Sequence, residues 1–77
     1  MIAKCYKNGN QVKSYSYIID VKYVKKYDYF EFHEKIYHHE IIFVHRPVEV
    51  DRVEIYEHGF DKKPIKTVER IHNEKED

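Results

Sequence analysis

The chain has no leucine and no tryptophan, and alanine occurs once, at Ala3. Leu and Ala are the usual fillers of helical cores, so their absence argues against a helical bundle. A single cysteine, Cys5, rules out a disulfide framework within the chain. The start of the chain also lacks the basic flank and apolar run of a secretion signal, and both features point to a reducing cytoplasm. The longest apolar run, residues 41–44, falls far short of the ~20 residues that span a membrane. Glycine occurs only at Gly9 and Gly59, which leaves no phosphate-cradling loop. Ser14 and Ser16 are the only serines and stand in no nucleophile motif. Catalysis is therefore not expected, and no cofactor is implied.

What is present is β-branched and aromatic: nine Ile, eight Val, eight Tyr and four Phe. These side chains fit a pleated sheet and lose rotamer freedom on a helix, so the fold class expected is all-β. Residues 2–7, the Asn8-Gly9-Asn10 turn and the run from Gln11 predict a tight first hairpin. In that run Tyr15, Tyr17, Ile19, Val21 and Tyr23 alternate with polar residues, while Ile18 and Val24 break the phase and suggest a bend. Residues 25–28 form a polar turn. Residues 29–33 and 36–45 then predict a second hairpin across Glu34-Lys35, ended by Pro47. Residues 48–57 read as extended with a phase slip at Asp51-Arg52, followed by a loop over 58–64. Residues 65–71 are expected to be a final strand in preference to a short helix starting at Pro64.

The architecture expected is a small antiparallel meander, closing into a five- or six-stranded barrel or a compact sandwich of SH3-like or OB-like size. Residues 1–72 form the single domain, with a frayed polar tail over 73–77. Its core is predicted from Tyr15, Tyr17, Ile19, Val21, Phe30, Phe32, Ile41, Phe43, Val53 and Ile55.

Net charge is zero, yet residues 1–27 carry six lysines against Asp20 alone, and residues 28–77 carry eight basic and thirteen acidic groups. Such polarity either orients a partner or draws the two halves of one domain together. Lysines interleave with tyrosines in the N-terminal third: Lys4, Tyr6, Lys7, Lys13, Lys22, Lys25, Lys26 and Tyr27. That pattern suits single-stranded nucleic acid, with cations for phosphates and rings for bases. Overall neutrality weighs against it. If Phe32 stood opposite Tyr37, Glu31, His33, His38 and Glu40 would share one face and could hold zinc. Alternating polar residues are also what the wet face of any hairpin looks like.

The function expected is contact with another protein. Exposable tyrosines and free strand edges are the materials of an interface, and a core this small gains from a symmetric partner, so a homodimer is expected. Eleven lysines against three arginines, with abundant Ile and Tyr, are the codon bias of an AT-rich genome. That bias suggests a virus or mobile element whose product binds a protein of the host cytoplasm, with inhibition of that protein as one outcome. Single-stranded nucleic-acid binding and self-assembly into a structural subunit are the alternatives.

Overall fold

The computed structural model describes residues 1–70. It contains seven strands: β1 (Ile2–Lys7), β2 (Asn10–Tyr15), β3 (Ile18–Val24), β4 (Tyr29–Ile36), β5 (His39–His45), β6 (Arg52–Tyr56) and β7 (Lys66–Glu69). They form two antiparallel sheets, ordered β2-β1-β6-β7 and β3-β4-β5. The all-β expectation holds, with more strands than the five or six expected and no closed barrel. The final segment is a strand, paired with β6 through Val53 and Val68. The tail over 73–77, with Ile71 and His72 before it, lies outside the described residues.

Two strands arise where the sequence suggests one. The run from Gln11 to Val24 is cut at Ser16-Tyr17, where Tyr17 takes a φ of +62°. There the chain leaves the first sheet and enters the second. The crossing is fixed by backbone hydrogen bonds from Ile18 N to Met1 O (2.9 Å) and from the N-terminal ammonium to Ile18 O (3.0 Å). The turn puts Tyr17 outside and Ile18 inside, and the register shift between Ile18 and Asp20 turns Ile19 outward before Val21 re-enters the core, so Tyr17 and Ile19 are 62% and 44% exposed. Both leave the predicted core for that reason.

Each sheet contributes one apolar face to a shared core. Ala3, Cys5, Val53, Ile55 and Val68 come from the first sheet and Ile18, Val21, Phe30 and Phe32 from the second, with Val50 inserted from the loop before β6. Tyr15, Tyr23 and Phe43 pack around this centre. The phase slip in residues 48–57 is a turn over residues 47–49, which leaves Val48 in solvent and Val50 buried.

The second hairpin turns at Tyr37-His38, not at Glu34-Lys35, because Phe32 pairs with Phe43 and Ile36 with His39. This register stacks Phe32 on Phe43 at 5.0 Å and 4° between planes. Tyr37 takes a φ of +57° and is 89% exposed. A left-handed conformation is uphill for a side chain that packs against little. Tyr37→Gly is therefore expected to stabilise the fold by about 0.5–1 kcal/mol, seen as a melting temperature a few degrees higher. A lower melting temperature would show that the Tyr37 ring supports the hairpin.

The two oppositely charged halves of the sequence meet in the paired strands β1–β6 and β3–β4. Lys22 of the basic half pairs with Glu31 of the acidic half at 3.5 Å, and Lys66 reaches back to Asp20 at 3.2 Å, whereas Arg70 and Asp28, 2.9 Å apart, both belong to the second half. One ion pair, Lys22–Glu31, thus follows the charge asymmetry between the halves.

Candidate functional site

Four strands end the two sheets, and three of those edges are guarded. β2 carries Lys13 and a register shift against β1 between Cys5 and Tyr6. β3 has a register shift between Ile18 and Asp20. β7 is only four residues long, and its Lys66 donates to Val21 O at 3.1 Å, bridging the β3 and β7 edges. Bulges, lysines and short length are the usual means of blocking strand addition.

β5 has none of these. It is seven residues long, it pairs with β4 without a shift, and its centre reads Ile41, Ile42, Phe43, Val44. Four successive apolar residues place two side chains on each face of a strand. On the inner face Phe43 packs beside Phe32 and Tyr15. Ile41, next along that face, is 47% exposed, so it leaves the predicted core for the rim. On the outer face Ile42 and Val44 are 60% and 43% exposed. Their neighbours across β4 are His33 and Glu31, which are hydrogen-bonded to each other at 2.8 Å. That bond holds the Glu31 carboxyl below its usual range.

The C-terminal end of β5 is locked to the other sheet. Tyr15 Oη lies 2.6 Å from His45 Nε2, and His45 Nδ1 lies 3.1 Å from Glu49 Oε1. The carboxylate can only accept, so the contact with Glu49 is donated from His45 Nδ1. Hydrogen bonding from His45 holds the Glu49 carboxyl low, and burial pushes the Tyr15 phenol up. These contacts make a rigid base for the edge.

The four residues considered as zinc ligands do not converge. Glu31 and His33 lie in mid-strand, while Glu40 faces Lys35 and His38 sits in the turn. Among the described residues no group of three His, Cys, Asp or Glu side chains is placed to hold a metal ion.

The lysine–tyrosine set is distributed over separate surfaces. Lys4 donates to Gly59 O at 3.1 Å and lies over the Tyr56 ring at 4.4 Å. Arg52 covers Tyr6 at 4.5 Å and pairs with Glu54 at 3.1 Å. Lys7 donates to Pro47 O at 2.7 Å, Lys22 pairs with Glu31, and Lys13 is exposed on β2. Only Lys25, Lys26 and Tyr27 share a small surface, in the β3–β4 turn, where Tyr27 stacks on Tyr29 at 5.7 Å under Lys26.

Two adjoining open clefts of about 450 and 460 Å³ share Lys7, Pro47 and Arg70. Arg70 spans Asp28 with two hydrogen bonds of 3.0 and 2.9 Å, and Asp51 accepts from Asn8 N at 2.9 Å, so much of the charge there is already matched. The β5 edge is the feature that sequence alone did not single out, although its signal was the unbroken apolar run. No known protein family, curated protein or solved structure matches the chain.

Proposed function

We propose that the chain is a small β-sandwich acting as a non-enzymatic protein-binding module, which takes up an extended strand along the open edge of β5. One observation carries this: among the described residues, β5 alone of the four edges is long, regular, apolar and unguarded. A free edge supplies main-chain hydrogen bonds for affinity, and alternate side chains supply selectivity. The strand taken up belongs to a polypeptide, either a further copy of the chain or the host-cell protein that the composition suggests.

The β3–β4 turn favours the second reading, single-stranded nucleic acid, to the extent that Tyr27 is 61% exposed between Lys26 and the Tyr29 ring. Lys4, Tyr6, Lys7 and Lys22 are engaged on other surfaces and Lys13 lies apart on β2, which leaves too few contacts for a groove.

The test is affinity capture and gel filtration in lysate of the source cells, comparing the parent with Ile42→Lys. Because Ile42 lies mostly in solvent within one chain, the variant is expected to fold with a cooperative melt. The parent is expected to run in a complex with a second polypeptide that the variant has lost. Equal association by both forms would sink the proposal. So would salt-sensitive oligonucleotide binding that disappears on changing Lys25 and Lys26 to Ala.

A further inference from the structure

We infer that β5 takes up the β5 of a second copy, antiparallel about a two-fold axis at Phe43, merging two three-stranded sheets into one of six strands. This rests on β5 being a binding edge and names its occupant. The backbone sets the phase. With only Tyr37 and His38 in the turn, Ile36 and His39 form the bonded pair that closes the hairpin. Bonded and non-bonded pairs alternate in an antiparallel ladder, so Glu40, Ile42 and Val44 turn their N–H and C=O groups to the open side. An axis at Phe43 places Ile42 against Val44 of the second copy, two residues that both present bonding groups. It also keeps faces matched, outer side chains meeting outer side chains.

The side chains agree with that axis. On the outer face Ile42 and Val44 continue into Val44 and Ile42 of the second copy, forming one apolar strip. On the inner face the exposed side of Ile41 meets His45 of the second copy. The strip ends in charge: Glu40 lies opposite Arg46 of the second copy, and Arg46 opposite its Glu40. Among the described residues Glu40 faces Lys35 across the hairpin without an ion pair forming, and the Arg46 guanidinium has no hydrogen-bonding or ionic partner, so each can take up the other. Moving the axis by one residue, to Ile42, would put Glu40 against Val44 and separate both charges from any counterpart. A symmetric contact of this kind closes on itself and removes the edge that would otherwise propagate.

Sedimentation at increasing concentration tests the pairing, with melting temperatures confirming that each variant folds. The parent is expected at twice the chain mass at high micromolar concentration. Ile42→Lys is expected to be a monomer. Glu40→Arg and Arg46→Glu should each weaken the dimer by roughly tenfold, because every reversal turns two cross-strand attractions into repulsions. The double variant E40R/R46E should recover parental affinity, which requires the two residues to face each other. A parent that stays monomeric overturns self-pairing. If that monomer still captures another polypeptide in an Ile42-dependent way, the edge reading survives; if it captures none, both fall. A dimer unaffected by Ile42→Lys, or single reversals that the double variant does not rescue, also overturns the inferred pairing.

Discussion

Phe32→Ala is expected to abolish the cooperative thermal transition at room temperature, whereas Ile41→Ala is expected to melt within a few degrees of the parent. Phe32 is wholly buried, stacked on Phe43 and edge-on to Tyr15 at 5.6 Å. Removing such a ring costs about 3–5 kcal/mol through lost transfer energy and the cavity left behind. Folded domains hold only about 5–15 kcal/mol in total, and one this small stands at the low end. Ile41 lies at the rim, so its truncation should cost less than about 1 kcal/mol. Circular dichroism melting curves of both variants decide the matter. Similar losses from the two would mean that the division between core and rim is wrong.

Above about pH 9 the fold is expected to lose stability continuously. Cys5 is wholly buried, and that burial pushes its thiol from 9.0 up to about 12. Tyr56 donates to Glu54 Oε1 at 2.7 Å, and this hydrogen bond, with burial, raises its phenol to about 12. Burial also pushes up Tyr6, Tyr15 and Tyr23. In each case the unfolded chain gives up its proton at a lower pH than the folded one. The contribution is complete below the unfolded value and fades as pH climbs toward the folded value. For Cys5 the loss is of order a few kcal/mol by pH 12. The acid limb has the opposite sign: Glu31 and Glu49 are held low, so what they contribute fades as pH falls below about 4.5.

Urea midpoints at pH 8, 9.5 and 11 measure the alkaline limb, and Cys5→Ala should flatten it. Thiol labelling gives a second readout. At pH 8, Cys5 should react at least about a thousandfold more slowly than in denaturant, because the reagent must wait for opening. A constant midpoint combined with rapid labelling would place the thiol in contact with solvent.

Much of the architecture is legible in residue types, because β-branched and aromatic residues without Leu leave little besides sheet. Asn8-Gly9 marks the first turn and Pro47 the end of β5. Placement across the core is less legible. Tyr17 and Ile19 sit on a run whose alternation looks continuous, and only the left-handed backbone at Tyr17 shows that the chain changes sheets there. Ile41 follows the inward phase of Phe43, but alternation does not reveal how far the opposite sheet extends. The hairpin register is not legible because Tyr37-His38 contains no turn-forming residue, while Glu34-Lys35 is polar and resembles one. That same slip dissolved the zinc set. The open edge at β5 depends on sheet order, which no local pattern encodes.

β1 lies in the middle of its sheet, yet its partners in β6 occur about fifty positions later, with Ala3 against Ile55. Bringing such distant segments together costs chain entropy before any contact compensates. On the ribosome, the hairpins β1–β2, β3–β4 and β4–β5 can all form once residue 45 has emerged. Phe30 and Phe32 must then wait for Val53 and Ile55 to cover them. During that interval the nascent chain displays its unfinished core and the bare β5 strand together. Its yield in the cell therefore depends on how quickly residues 52–69 follow, and slow translation across 46–60 would favour aggregation over folding.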